Sequence, residues 1–205
     1  TGNIISTANP WTITLTGDTT VTAYFQYGLL RETFDLLTGW SGQGKGTMSL
    51  DPVNYIQGIG AIRLTMPVKA GYLYITKSIS WDLSASTEQG NLRFWVYKSN
   101  TGTPTNFQLL LAIDTTMKNY FVANIYADLV PGWNLINLTT SDWTAVGKAT
   151  WTKPMVRLQF RGFGSNGAYF VVDGLSTGAN LVTRTDFISV DIIAEQAVAL
   201  PVQER

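Results

Sequence analysis

Histidine and cysteine are both absent from the 205 residues, and charge is scarce. Without cysteine there is no thiol nucleophile, no thiolate zinc site and no iron–sulfur cluster. Without histidine there is no Ser-His-Asp or Cys-His catalysis, no imidazole zinc ligand and no side chain that shuttles protons easily near neutral pH. What remains for an enzyme is mostly carboxylate chemistry, and Glu32, Glu88, Asp82, Asp114, Asp128 and Asp142 sit in no recognisable catalytic frame; a non-enzyme is expected. Only 14% of residues are charged, against about a quarter in an average globular protein. The 14 basic residues are balanced by 14 acidic ones and are not clustered, so binding to nucleic acid through phosphate neutralisation is not expected. No run of 18 apolar residues occurs, so no transmembrane helix is expected. The chain opens on Thr1 with no signal peptide, which suggests a processed product or an excised piece of a longer polypeptide.

The surface left uncharged must be covered by Thr, Asn, Ser, Gly and Gln, with aromatics at 12%. That profile suits an extracellular, cell-surface or virion setting. Strand signals run throughout: Ala61–Met66, Gly71–Ile79, Leu92–Lys98, Phe107–Asp114, Tyr120–Tyr126, Asn134–Leu138, Val156–Arg161 and Ala168–Val172. Gly, Pro, Asn, Asp and Ser clusters separate them at short spacings. Several alternate with the period of two that a half-buried strand requires; Leu92, Phe94 and Val96 interleave with Arg93, Trp95 and Tyr97. No stretch carries a helical stripe, so the fold class is all-β, a sandwich or barrel. Three zones are expected: a Thr-rich hairpin over 1–27, a large domain over 28–178, and a β-rich C-terminal extension over 179–205.

Two resemblances refine this reading. The run Asn9-Pro10-Trp11-Thr12-Ile13-Thr14-Leu15-Thr16-Gly17-Asp18-Thr19-Thr20-Val21-Thr22-Ala23-Tyr24-Phe25 resembles the closing part of an internalin-type B repeat, a small β unit of bacterial surface proteins and phage adhesins. In the large zone, Glu32-Thr33-Phe34-Asp35 with Thr38-Gly39-Trp40 is similar to an opening strand. Tyr55-Ile56-Gln57-Gly58-Ile59-Gly60-Ala61-Ile62-Arg63-Leu64 is similar to a second strand. Pro131–Leu138, Ser141-Asp142-Trp143 and Phe170–Leu175 are similar to the closing half of galactose-binding-like jelly rolls of the carbohydrate-binding-module type. The resemblance implies a jelly-roll β-sandwich with flanking β segments at both termini, and a glycan-binding role without catalysis.

It also implies a structural Ca²⁺ between the opening and closing strands, held by Asp35 and Asp173, with Asp51 as a third carboxylate and carbonyls near Ile56 to Gly58. Gly174 stands where a second acidic residue is common in such domains, so one ligand is missing from that pattern. The bland alternative is three ordinary turn aspartates that accept nearby N–H groups.

A sugar platform needs aromatic rings for the C–H faces of pyranoses and planar polar groups for the hydroxyls. Alternation supplies Arg93, Trp95 and Tyr97 on one strand, Asn124 and Tyr126 on a second, and Arg157, Gln159 and Arg161 on a third. If those strands are neighbours, their outward faces form one ledge. Otherwise the same side chains belong to a second packing layer covered by the terminal segments. The leading expectation is therefore a module that binds a polysaccharide or surface glycan within a larger secreted, cell-surface or phage adhesin protein. The alternative is a structural subunit or spacer of an extracellular assembly, a homo-oligomer whose terminal strands pair between subunits.

Overall fold

The computed structural model describes residues 29–178; the hairpin and extension expected over 1–27 and 179–205 lie outside the described residues. The strands are β1 (Leu29–Glu32), β2 (Trp40–Gly44), β3 (Thr47–Asp51), β4 (Ala61–Thr65), β5 (Gly71–Trp81), β6 (Leu92–Lys98), β7 (Thr103–Ala112), β8 (Tyr120–Asn124), β9 (Gly132–Leu138), β10 (Thr144–Val146), β11 (Met155–Ser165) and β12 (Tyr169–Thr177). Single 3₁₀ turns at Tyr126–Asp128 and Thr140–Asp142 are the only helical pieces among the described residues.

All pairings are antiparallel and make two sheets. The front sheet runs β10-β8-β7-β11-β5-β2, and the back sheet runs β3-β4-β12-β6-β9, with β1 also paired to β12. The chain changes sheet at every connection among the described strands except β3 to β4, β7 to β8 and β10 to β11. This is the jelly-roll β-sandwich expected from the sequence.

The period-two pattern sends one side of each strand into the space between the sheets. Leu73 and Ile75 of β5, Leu92, Phe94 and Val96 of β6, and Leu158 and Phe160 of β11 are all buried there. Phe160 is the meeting point. Its ring centroid lies 5.8 Å from Phe34, 6.2 Å from Trp40, 5.7 Å from Phe94 and 6.0 Å from Phe107. Phe107 in turn stacks on Phe170 at 4.4 Å, so rings from both sheets interlock. Edge-to-face and offset pairs of this kind add to the stabilisation from apolar burial alone. Truncating Phe160 to Ala would leave a void that four rings cannot all fill. A loss of about 3–5 kcal/mol is expected, read as a lowered denaturation midpoint with little change in slope.

Candidate functional site

The strands expected to form one ledge are separated by the sandwich. β6 belongs to the back sheet, whereas β8 and β11 belong to the front. Arg93, Trp95 and Tyr97 therefore point away from the core on one side, and Asn124, Arg157, Gln159 and Arg161 on the other. Alternation correctly gives the side of each strand, but it carries no information on sheet membership. Tyr126 belongs to neither face: it lies in the 3₁₀ turn after β8, bonds through its hydroxyl to the Pro104 carbonyl at 2.5 Å, and meets the Phe170 ring edge-on at 6.4 Å.

The front face keeps the chemistry of a platform because other strands supply its aromatics. Arg161 of β11 lies opposite Tyr74 of β5 and Gln108 of β7, and Gln108 lies opposite Asn124 of β8. Phe163 lies opposite Tyr72 and Asn106 in the next outward row. On the other side, Gln159 faces Thr76 and Leu110, and Arg157 faces Ser78 and Ala112. Beyond β5, the edge strand β2 adds Ser41 and Gln43.

Three rings cluster here. Tyr72 and Tyr74 have centroids 4.5 Å apart, and Phe163 lies 6.4 Å and 5.8 Å from them. The Arg161 guanidinium carbon sits 4.8 Å from the Tyr74 centroid and 5.7 Å from that of Tyr120. Its Nε donates to Gln159 Oε1 at 2.5 Å, and Gln159 Nε2 donates to Thr76 Oγ1 at 2.8 Å. Gln108 Nε2 donates to Asn124 Oδ1 at 2.6 Å. The side chains are thus braced against one another; Gln159 is buried, as are Leu110 opposite it and Ala112 opposite Arg157, while Tyr72, Asn124, Ser41 and Gln43 remain exposed. The aromatic half of this face was readable from the alternation of Tyr72 and Tyr74 with Leu73 and Ile75, but the order of the strands was needed to bring it beside Arg161.

The back face has a different character. Arg63 donates to Asp51 Oδ2 through Nε (2.9 Å) and Nη2 (2.6 Å), with its guanidinium carbon 4.1 Å from the Tyr169 ring. Tyr169 stacks on Tyr97 at 5.8 Å, and Tyr97 meets Trp133 edge-on at 5.5 Å. Arg93 is partly buried there, and its Nη1 has no partner.

The expected three-carboxylate cluster does not form, and no group of three or more acidic residues suited to a metal exists among the described residues. Asp51 is taken by Arg63, by the Asn54 side chain, and by the backbone N–H groups of Val53 and Asn54. Burial acts to raise its pKa, but these hydrogen bonds together hold it below the ordinary carboxylate value. β4 separates its strand from that of Asp173.

Asp35 and Asp173 do flank one loop. Asp35 Oδ1 accepts from Ile59 N (2.7 Å) and Gly60 N (3.2 Å), and Asp173 Oδ2 accepts from Ile56 N (2.5 Å) and Gln57 N (2.9 Å). Asp173 is fully buried and its Oδ1 has no partner. Burial raises its pKa to about 6, with the charge of Asp35 adding to the rise and backbone donors opposing it. A buried carboxylate oxygen without a donor, beside a second carboxylate, suits a hard cation. Asp35 and Asp173 fit; Asp51 does not.

The acidic residues considered for catalysis are mostly engaged elsewhere. Glu32 pairs with Lys77 and Glu88 with Arg31, Asp82 accepts from Ser84 N, Asp114 folds its own hairpin loop, and Asp142 closes a capping box with Thr139.

No protein-family model matches the chain, and no curated protein does. The fold has solved counterparts. A family 11 carbohydrate-binding module from Clostridium thermocellum, in complex with a β-1,3-1,4-mixed-linked tetrasaccharide, is 14% identical with a TM-score of 0.54, the match covering 75% of this chain and 96% of that one. The family 11 module of the cellulosomal cellulase Lic26A-Cel5E of the same organism is 12% identical with a TM-score of 0.53, covering 77% and 97%. An exo-β-agarase structure is 13% identical with a TM-score of 0.50, covering 76% of this chain and 26% of that one. At these identities the likeness is one of fold.

Proposed function

We propose that the described domain is a non-catalytic carbohydrate-binding module whose ligand lies across the outer face of the front sheet. The observation that carries this reading is the Tyr72–Tyr74–Phe163 cluster set against Arg161, Gln159, Gln108 and Asn124 on a preformed sheet. Rings stack on pyranose C–H faces, and the amide and guanidinium groups meet hydroxyls whose orientation the sheet has already fixed. The shared fold of the family 11 modules supports it. We place the domain in a secreted, cell-surface or phage adhesin protein because of its charge-poor, Thr-rich composition. Individual modules of this sort gain avidity through repetition or oligomerisation.

The reading extends to a structural Ca²⁺ held by Asp35 and Asp173. Such an ion would neutralise the bare Asp173 oxygen and tie the 56–60 loop to the opening and closing strands.

Tyr74→Ala should weaken binding to a glycan identified on an array by about tenfold or more, whereas Trp95→Ala, on the opposite face, should leave the affinity unchanged in isothermal titration. An equal loss in both variants would remove the front face from consideration.

For Asp173 the sign follows from its raised pKa. Between the ordinary carboxylate value and about 6 the folded protein holds a proton that the unfolded chain does not. In chelator, stability should therefore fall as pH rises from about 4 to about 7, by on the order of 2–3 kcal/mol at 1.36 kcal/mol for each pKa unit, measured by urea denaturation at each pH. Added Ca²⁺ should raise the melting temperature at neutral pH, and Asp173→Asn should abolish that rise.

A further inference from the structure

The front sheet contains no Asp or Glu in any of its six strands. It does contain three cations. Lys77 points toward one end of the core, where it pairs with Glu32 and lies 5.7 Å from the Trp40 ring. The other two, Arg157 and Arg161, point outward from β11, four residues apart and so roughly 13 Å along the strand. The ion pairs among the described residues are Arg31 with Glu88, Arg63 with Asp51 and Lys77 with Glu32. Neither front-face arginine has a carboxylate partner there.

Their terminal nitrogens make no hydrogen bond among the described residues. Arg157 Nε is buried and unpaired, so a ligand would meet Arg157 only through the end of its fork. Arg161 uses Nε on Gln159 and rests between Tyr74 and Tyr120, which fixes the plane of its fork and leaves its terminal nitrogens for a ligand. A guanidinium held in a fixed plane beside aromatic rings is matched best by a planar or tetrahedral anion, which it can grip through two parallel N–H bonds. Neutral hydroxyls would satisfy the donors but leave two positive charges uncompensated on a sheet that has none of the opposite sign.

We infer that the ligand class of this face is an anionic glycan, with an acidic group on the sugar chain seated at Arg157, Arg161 or both. The inference rests on the glycan-binding reading above and narrows it through charge complementarity. Two arginines are too few for a nucleic-acid groove, whose affinity comes from many phosphate contacts.

The full chain should be applied to an array that carries oligogalacturonate, the same oligomer methyl-esterified, a sulfated chondroitin oligosaccharide and a neutral mixed-linked β-glucan. Capture of one or both acidic probes over the neutral ones is expected, and the pair that differs only in esterification shows whether a carboxylate alone is recognised. Raising the salt to about 0.5 M should cut that signal at least tenfold. In titrations against the captured probe, Arg157→Gln and Arg161→Gln should each weaken binding about tenfold or more while the melting temperature holds, and Arg161→Lys should recover part of the loss. Equal capture of the acid and its ester, capture of the neutral glucan alone, or acid binding that survives both glutamine substitutions would overturn the anionic assignment and leave the glycan-binding reading standing. Absence of capture by any probe, extended to a broad glycan array with no hits, would overturn both.

Discussion

β11 holds the outward side chains of the proposed binding surface in place because its other side is clamped in the core. Phe160 touches four aromatic side chains from both sheets and the loop after β1. Two residues further on, a Cβ at Gly162 would lie 2.7 Å from Met66 Cε and 3.3 Å from Phe170 Cδ2, so the Met66 side chain would have to shift to admit one. A strand so fixed on its inner side cannot slip by one residue without sending Phe160 into water and Arg161 into the core. The outward positions of Arg157, Gln159 and Arg161 are consequences of that clamp, and the bracing between Gln159, Thr76 and Arg161 is laid over it. Ordering the face in advance removes part of the entropy cost that a flexible loop site would meet on binding.

A second constraint works at the opposite sheet. The 56–60 loop runs between two carboxylates, and four of its backbone N–H groups end on Asp35 or Asp173. Gly58 permits the passage: its φ of +74° is disfavoured for side-chain-bearing residues, and a Cβ would stand 2.0 Å from Asp35 Oδ1. The loop thus fastens the closing strand β12 to the segment that follows β1. The cost of this arrangement is concentrated on Asp173, which is wholly buried with one oxygen bare. A cation would relieve that cost, and so would a proton, so the proposed metal response and the acid response would both run through this residue.

Much of the fold was legible because a strand's alternation is a local property. The longer strands were expected within a few residues, and the inward sets Leu92/Phe94/Val96 and Leu158/Phe160 follow from hydrophobicity alone. The short strands β2, β3 and β10 were not recognised as such, and the opening strand was expected from Glu32 onward, whereas β1 ends there. Ser41-Gly42-Gln43-Gly44 has no apolar residue to bury, and it is a strand only because β5 supplies hydrogen bonds along one edge. Sheet membership was not legible at all, since crossovers separate strands that are adjacent in sequence; the split of Arg93, Trp95 and Tyr97 from Arg157, Gln159 and Arg161 is the result. Asp51 shows the converse. Its bonds to Val53 N and Asn54 N form a local turn that the Asp51-Pro52-Val53-Asn54 segment already suggested, and this is the bland reading of that residue.

The two outer faces hold similar residue types yet differ in how far those residues are used. On the back, a chain of contacts runs from Asp51 through Arg63, Tyr169 and Tyr97 to Trp133, so that the charge of Arg63 is cancelled and ring is set on ring; Arg93 there has no ion pair among the described residues and a bare donor at Nη1. On the front, rings and amides brace one another, and two guanidiniums four residues apart lack a counter-charge among the described residues. Folding stability alone would favour closing such gaps, since each unsatisfied donor costs on the order of 1–3 kcal/mol. What sets the front apart is that its two unpaired guanidiniums share a face with the Tyr72, Tyr74 and Phe163 rings, which is the combination the proposed ligand would use. In the proposed reading the stacking surface and the uncompensated charge belong to one recognition event, with the rings orienting a sugar chain and the arginines selecting the chain by its acid groups.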